Sequence, residues 1–305
     1  MFHNIIFLKP YLSERPWGGD RLKDFNIDLP NDKIGEAWIV SGMKDKSSII
    51  INEEHNGMTL REFFETHKLF FDNYRSNEYP LLVKLLDCNQ DLSVQVHPTE
   101  EYTNQHRDAV TKNEAWYILD AKPNASIIYG HHAKTQEELV KLIKANDWSK
   151  LLNVVPVKPF DLFYVPSGTV HALKSGLLIY EIQQASDCTY RLYDYGREKT
   201  DPSRTLHVTE AIENIAVPFV TPTLNKNKGE LLSTPFFSIN LINNTSKHTY
   251  TYTNARWLQC FVMDGKGYIN NSPISKGSTF LIGNGDYQFE LSGNLNIIVS
   301  YIVKS

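Results

Sequence analysis

The sequence has only three cysteines, Cys88, Cys188 and Cys260, far apart and without a C-x-x-C pair. An odd, scattered set excludes a disulfide framework, and a reducing cytoplasm is the expected home. Long apolar runs are also missing, since no segment approaches the ~18 apolar residues of a membrane span. The first nine residues carry a short apolar stretch and no cleavage-site pattern, so a soluble, unprocessed chain is expected. Nor is there a basic surplus. The 31 Lys and Arg stand against 35 Asp and Glu, leaving a net charge of −4. This excludes a chain that coats nucleic acid or anionic lipid. Any anionic ligand must therefore be held by a few positive side chains placed locally.

What is present is an ordinary globular mixture, 41% hydrophobic over 305 residues, about two domains by length. Most of the periodicity is strand-like. Short runs rich in Val, Ile and aromatics occur at Ile49 to Ile51, Leu92 to Val96, Ala115 to Leu119, Ser126 to Tyr129, Asp161 to Val165 and Leu177 to Ile182. Gly, Pro, Asn and Asp separate them, the pattern of an antiparallel sandwich or barrel. Helical signals are fewer. Thr59-Leu-Arg-Glu62 has the form of a capping box, with Leu60, Phe63, Phe64 and His67 on one face. Thr135-Gln-Glu-Glu138 opens a second helix, and His207 to Ile215 reads as a third.

Turn formers crowd the segment 217–229, which reads as a linker. The expected division is a domain over 1–217, a linker at 218–229 and a smaller β domain over 230–305. An internal repeat supports a second copy of one barrel. Lys158 to His171 can be laid over Lys276 to Gln288, each a turn, a short apolar strand, a tight turn and one polar side chain. That side chain is His171 in the first block and Gln288 in the second. Nine of the ten histidines precede the linker and only His248 follows it, so histidine chemistry belongs to the first two-thirds.

Gln95 and His97 lie two apart on one strand and so share a face. Glu114 opens the next strong strand, and His171 follows the turn Pro166-Ser-Gly168. Two imidazoles, a carboxylate and an amide form a mixed N/O set suited to zinc, and equally to manganese, cobalt or ferrous iron. His3, His55, His67, His106, His131, His132, His207 and His248 read as ordinary surface or hydrogen-bonded residues.

Gln95-Val-His97-Pro, Glu114-Ala-Trp116 and Val165-Pro-Ser-Gly168-Thr-Val-His171-Ala-Leu173 resemble the cupin motifs of type I mannose-6-phosphate isomerases, most closely the short bacterial form. Pro16-Trp17-Gly-Gly19, Gly35-Glu-Ala-Trp38, Pro80 to Asp87 and Gln183 to Arg191 extend the resemblance from about Leu8 to the linker, and more loosely to the C-terminus. It implies a mainly β fold of two cupin-like (jelly-roll) barrels, with a few helices inserted around the N-terminal catalytic barrel. It implies an aldose–ketose isomerase acting on a small sugar phosphate, with one zinc ion per chain held by Gln95, His97, Glu114 and His171. Arg191 falls on the family's active-site arginine and Lys112 on a lysine proposed for proton transfer. Ser93 and Lys84 match residues near the phosphate. Two positions depart from the pattern: Thr111 replaces a His of the long-form enzymes, so ring opening by that group is not carried over. Phe160 stands where cupins usually place Gly, which alters the loop rather than the site.

Moving a carbonyl between C1 and C2 passes through a cis-enediol, whose developing charge a divalent cation and a fixed arginine can stabilise. Arg191 suits electrostatic and orienting work. Lys112 and Glu181 compete for the role of base. A non-haem iron oxygenase could use the same two-His-one-carboxylate set, and a non-catalytic sugar-phosphate-binding cupin is the other alternative. The oligomeric state expected is monomer or homodimer.

Overall fold

A computed structural model describes residues 4–226, 229–283 and 287–304. His3, the linker residues Asn227 and Lys228, and Asn284, Gly285 and Asp286 of the second repeat block lie outside the described residues. Each strand expected above forms, and the chain is mainly β. The three helices form as well, over Leu60–Thr66, Gln136–Lys144 and Val208–Asn214. The capping box is complete. Thr59 accepts from the Glu62 amide, and the Glu62 carboxylate accepts from the Thr59 amide at 2.9 Å, satisfying two donors that the first turn leaves unpaired.

The chain divides into two compact units. One comprises Met1–Ser13, Asp20–Leu85 and Leu224–Ser305; the other comprises Glu14–Gly19 and Leu86–Thr223. The partition follows space and not chain order, and strand pairing explains it. Ile5–Lys9 pairs antiparallel with Thr279–Ile282, Ile6 opposite Leu281, so the N-terminus joins the C-terminal sheet.

Among the described residues that sheet has nine strands. Its main path runs Leu232–Ser233, Ser238–Asn244, Tyr287–Val303, Ala255–Ile269, Thr279–Ile282, Ile5–Lys9 and Ile49–Ile50. Leu258, Cys260, Val262, Phe280, Ile297 and Val299 form its core. Gln288, the counterpart of His171 in the repeat, is exposed on its strand.

The second unit is built on a five-stranded sheet in the order Tyr190–Tyr193, Val94–Val96, His171–Leu173, Ser126–His131, Leu152–Pro156. Beside one another in a further layer lie Leu162–Val165, Glu114–Ala121 and Leu177–Gln184. The period-2 alternation of strands sets what each face does. Val94, Val96, Ile128, Ala172 and Leu192 face one way and pack with Leu139, Ile143 and Ala211 of the helices. Ile127, Tyr129 and Leu173 face the other way, toward Trp116, Ile118 and Ile179 of the further layer. Polar residues between the helix-facing positions must therefore point into the space between the layers.

Phe160 takes the left-handed conformation, with φ 74°, the region in which glycine carries no penalty. The turn that a glycine would serve is retained, and the residue is 72% exposed.

Candidate metal centre

Strand register assembles the site. Arg191 is opposite Gln95, Gln95 is opposite His171, and His171 is opposite Tyr129. Directly opposed residues share a face, so Arg191, Gln95 and His171 form one row pointing between the layers. From the other layer Glu114 lies opposite both Val165 and Gln183. The turn before His171 is tied down from both sides. Gly168 donates its amide to His97 O at 3.0 Å and accepts from the Ala216 amide at 2.9 Å. Its φ is +82°, and a Cβ there would meet Asn214 O at 3.0 Å, so only glycine fits without strain.

His97, Glu114 and His171 are each no more than 1% exposed. His97 Nε2 lies 3.2 Å from Glu114 Oε2, and His171 Nε2 lies 3.4 Å from Glu114 Oε1. Their ligating atoms all fall within 4.8 Å of one another. Two ligands at zinc distances on a tetrahedron would be ~3.4 Å apart. Backbone carbonyls set the tautomers: His97 Nδ1 is 3.1 Å from Cys188 O, and His171 Nδ1 is 2.8 Å from Thr169 O. A carbonyl only accepts, so each ring carries its proton on Nδ1 and turns the Nε2 lone pair inward. His97 Nε2 and both carboxylate oxygens of Glu114 have no aligned hydrogen-bond partner. Buried acceptor lone pairs facing one another are costly alone and are what a cation would satisfy. The residues fit a divalent metal.

The electrostatics agree. Burial, then the Lys112 ammonium, pushes His97 down to about 3; burial lowers His171 too. Burial alone would raise Glu114, but Lys112 and the two histidines hold it well below the usual carboxylate range. The set is thus one carboxylate and two neutral imidazoles, the protonation states that metal ligation needs.

The other expected residues fall as follows. Gln95 directs its amide at His171, Nε2 to Nε2 at 3.2 Å. Lys112 is 4% exposed, with Nζ 3.1 Å from Glu114 Oε2 and 3.2 Å from Gln183 Oε1. Glu181 is buried and accepts from the Trp116 indole N–H at 3.0 Å, and that indole meets the His171 ring edge-on. Ser93 is buried at the start of the Gln95 strand. Lys84 belongs to the other unit, buried with its ammonium 5.3 Å from the centre of the Trp38 ring.

Arg191 is half-buried, and its guanidinium donates to Thr205 O at 3.4 Å. Burial, then the charge of Arg204, lowers its pKa. Asp194 does not neutralise it, because Arg204 and Arg197 take that carboxylate. Among the described residues Arg191 has no ion pair.

Three supporting residues escaped the sequence reading. Gln183 holds Lys112. His207, read as an ordinary histidine, accepts the Arg191 amide on Nδ1 at 3.3 Å and donates its own amide to Arg191 O. Cys188 acts through its carbonyl, which no side-chain pattern signals.

Comparison with known proteins gives the family. Residues 5–137 match the family model "Phosphomannose isomerase type I, catalytic domain", and residues 227–302 match "Mannose-6-phosphate isomerase, cupin domain". The chain is 40% identical to mannose-6-phosphate isomerase ManA of Bacillus subtilis, covering 97% of this chain and 98% of that protein. It is 38% identical to mannose-6-phosphate isomerase of Streptococcus mutans, over 97% and 98% of the two chains. The crystal structure of mannose 6-phosphate isomerase from Bacillus subtilis superposes with a TM-score of 0.92 at 36% identity, covering 98% of this chain and 100% of that one. The chain belongs to the type I phosphomannose isomerase family.

Proposed function

We propose that the chain interconverts mannose 6-phosphate and fructose 6-phosphate by proton transfer between C1 and C2 through a cis-enediol. The observation that carries this reading is the buried His97–Glu114–His171 set with Lys112 Nζ 3.1 Å from its carboxylate, in a family of that activity. His97, Glu114 and His171, with Gln95 at the rim, would hold one zinc ion per chain. When bound, that ion supplies positive charge where negative charge develops on the sugar oxygens.

The remaining roles belong to the chain's own side chains. Arg191 faces the same space and offers its guanidinium to oxygen atoms of the substrate, fixing orientation and stabilising charge. Lys112, as the neutral amine, takes the proton from one carbon at Nζ and returns it to the other. Glu181 braces Trp116, whose indole packs on His171. The family resemblance carries a phosphate contact to Ser93, and separately one to Lys84. A cytoplasmic home agrees with the three free cysteines, and no helix among the described residues is long and apolar enough to cross a membrane.

A coupled assay for fructose 6-phosphate, with mannose 6-phosphate as substrate, tests the reading. Product is expected with zinc restored and is lost on chelation. No product at any metal loading would overturn it.

A further inference from the structure

Gln183 is fully buried on the strand Leu177–Gln184, opposite Glu114. Its amide Nε2 donates to Ser186 O at 2.7 Å and to Gln184 O at 3.1 Å. Carbonyl oxygens only accept, so these two bonds fix which end of the amide points where. Oε1 must face the other way, and there it receives Lys112 Nζ at 3.2 Å. The ammonium thereby stands between a hydrogen-bond acceptor, Gln183 Oε1, and an ion-pair partner, Glu114 Oε2. Lysine has four rotatable side-chain bonds and a compact charge, so without the amide its head would settle on the carboxylate alone.

We infer that Gln183 is the positioning residue for Lys112, fixing the direction in which Nζ stands beside Glu114, so that the neutral amine is already aimed when it takes the substrate's carbon-bound proton. The inference rests on the reading of Lys112 as the group that moves the proton. Gln183 touches no substrate; it acts through the lysine. Serine and glutamine carbonyls of the following turn, Gln184 to Ser186, are the fixed frame, so the strand end and the turn together set the lysine's direction.

The test is a double-mutant cycle on the zinc-loaded full chain. Gln183→Met keeps the side-chain volume and removes the acceptor. Turnover of mannose 6-phosphate is expected to fall about 10- to 100-fold, the usual cost of misplacing a reacting group, with KM and zinc content unchanged. In a Lys112→Met background the same substitution should cause no further loss, because the group it acts through is gone. Gln183→Glu keeps an acceptor against Nζ and should lose less than Gln183→Met. Unchanged turnover in Gln183→Met, multiplying losses in the two backgrounds, or equal losses for Met and Glu would each overturn the inference.

A readout independent of activity separates this from a failure of the underlying reading. In a proton–nitrogen NMR spectrum of ¹⁵N-lysine-labelled protein, the buried Lys112 ammonium should give a slowly exchanging signal. Gln183→Met should broaden or abolish it, and Gln259→Leu in the other unit should leave it intact. If Lys112→Met leaves turnover unchanged, the role given to Lys112 fails. The Lys112 signal then decides alone: its persistence in Gln183→Met overturns the positioning role.

Discussion

Tyr79, Trp257, Gln259 and Ser300 in the first unit are buried as deeply as His97, Glu114 and His171 in the second. The first group closes on itself. The Trp257 indole donates to Tyr79 Oη at 2.8 Å, Tyr79 donates to Gln259 Oε1 at 3.0 Å, and Gln259 Nε2 donates to Ser300 Oγ at 3.4 Å. In the second group the imidazole N–H groups point outward to backbone carbonyls, and the Nε2 lone pairs converge on the Glu114 carboxylate, itself an acceptor. A chain of alternating donors and acceptors rigidifies a core. A cluster in which acceptor faces acceptor has the donor set of a cation site. Related β architecture thus carries structure in one unit and chemistry in the other, and the direction of a few N–H groups is what separates them.

That contrast can be broken most sharply at Glu114. Glu114→Gln removes the one anionic ligand, and turnover should fall about 10³-fold with loss of bound metal; metal analysis beside the coupled assay checks both. Retained metal and turnover would erase the distinction between the units. Next in size is the effect of metal removal on folding. A ligand that binds only the native state at 100 times its Kd stabilises by about 2.7 kcal/mol. Chelation should therefore lower the melting temperature of the wild type, and should leave that of Glu114→Gln where it was. Calorimetry with and without chelator reads this.

In the first unit the expected losses are structural only. Trp257→Phe removes the indole hydrogen bond to the Tyr79 hydroxyl, and urea unfolding should show about 1–3 kcal/mol of destabilisation with turnover unchanged. The smallest effect is at Thr59. Thr59→Ala removes the helix cap and half of the capping box, for about 1 kcal/mol. A fall in turnover from either variant would contradict the division of labour.

Most of the fold was legible because its signals are local. Alternating apolar residues marked the strands, and Thr59 with Glu62 and Thr135 with Glu138 marked helix starts that the structure realises. The spatial partition was not legible, because nothing in Ile5–Lys9 announces that it pairs with Thr279–Ile282. At the site, His97, Glu114 and His171 stood out by their places beside Pro or a tight turn, and the structure brings them together. Their chemistry was less determined than their position, since the same triad suits an iron oxygenase. Long motifs such as Val165 to Leu173 carried the choice of reaction. Gln183 and His207 were missed for a physical reason: each acts on a residue far away in sequence or on backbone atoms, and no spacing rule reports such contacts.

The central claim is that turnover depends on one cation held by His97, Glu114 and His171. Titrating zinc into the chelated full chain, with turnover of mannose 6-phosphate followed at each addition, tests it directly. Turnover should rise linearly and break at one zinc per chain in the wild type, and stay flat in Glu114→Gln. Full turnover of the metal-free chain, or an identical titration in Glu114→Gln, would contradict it.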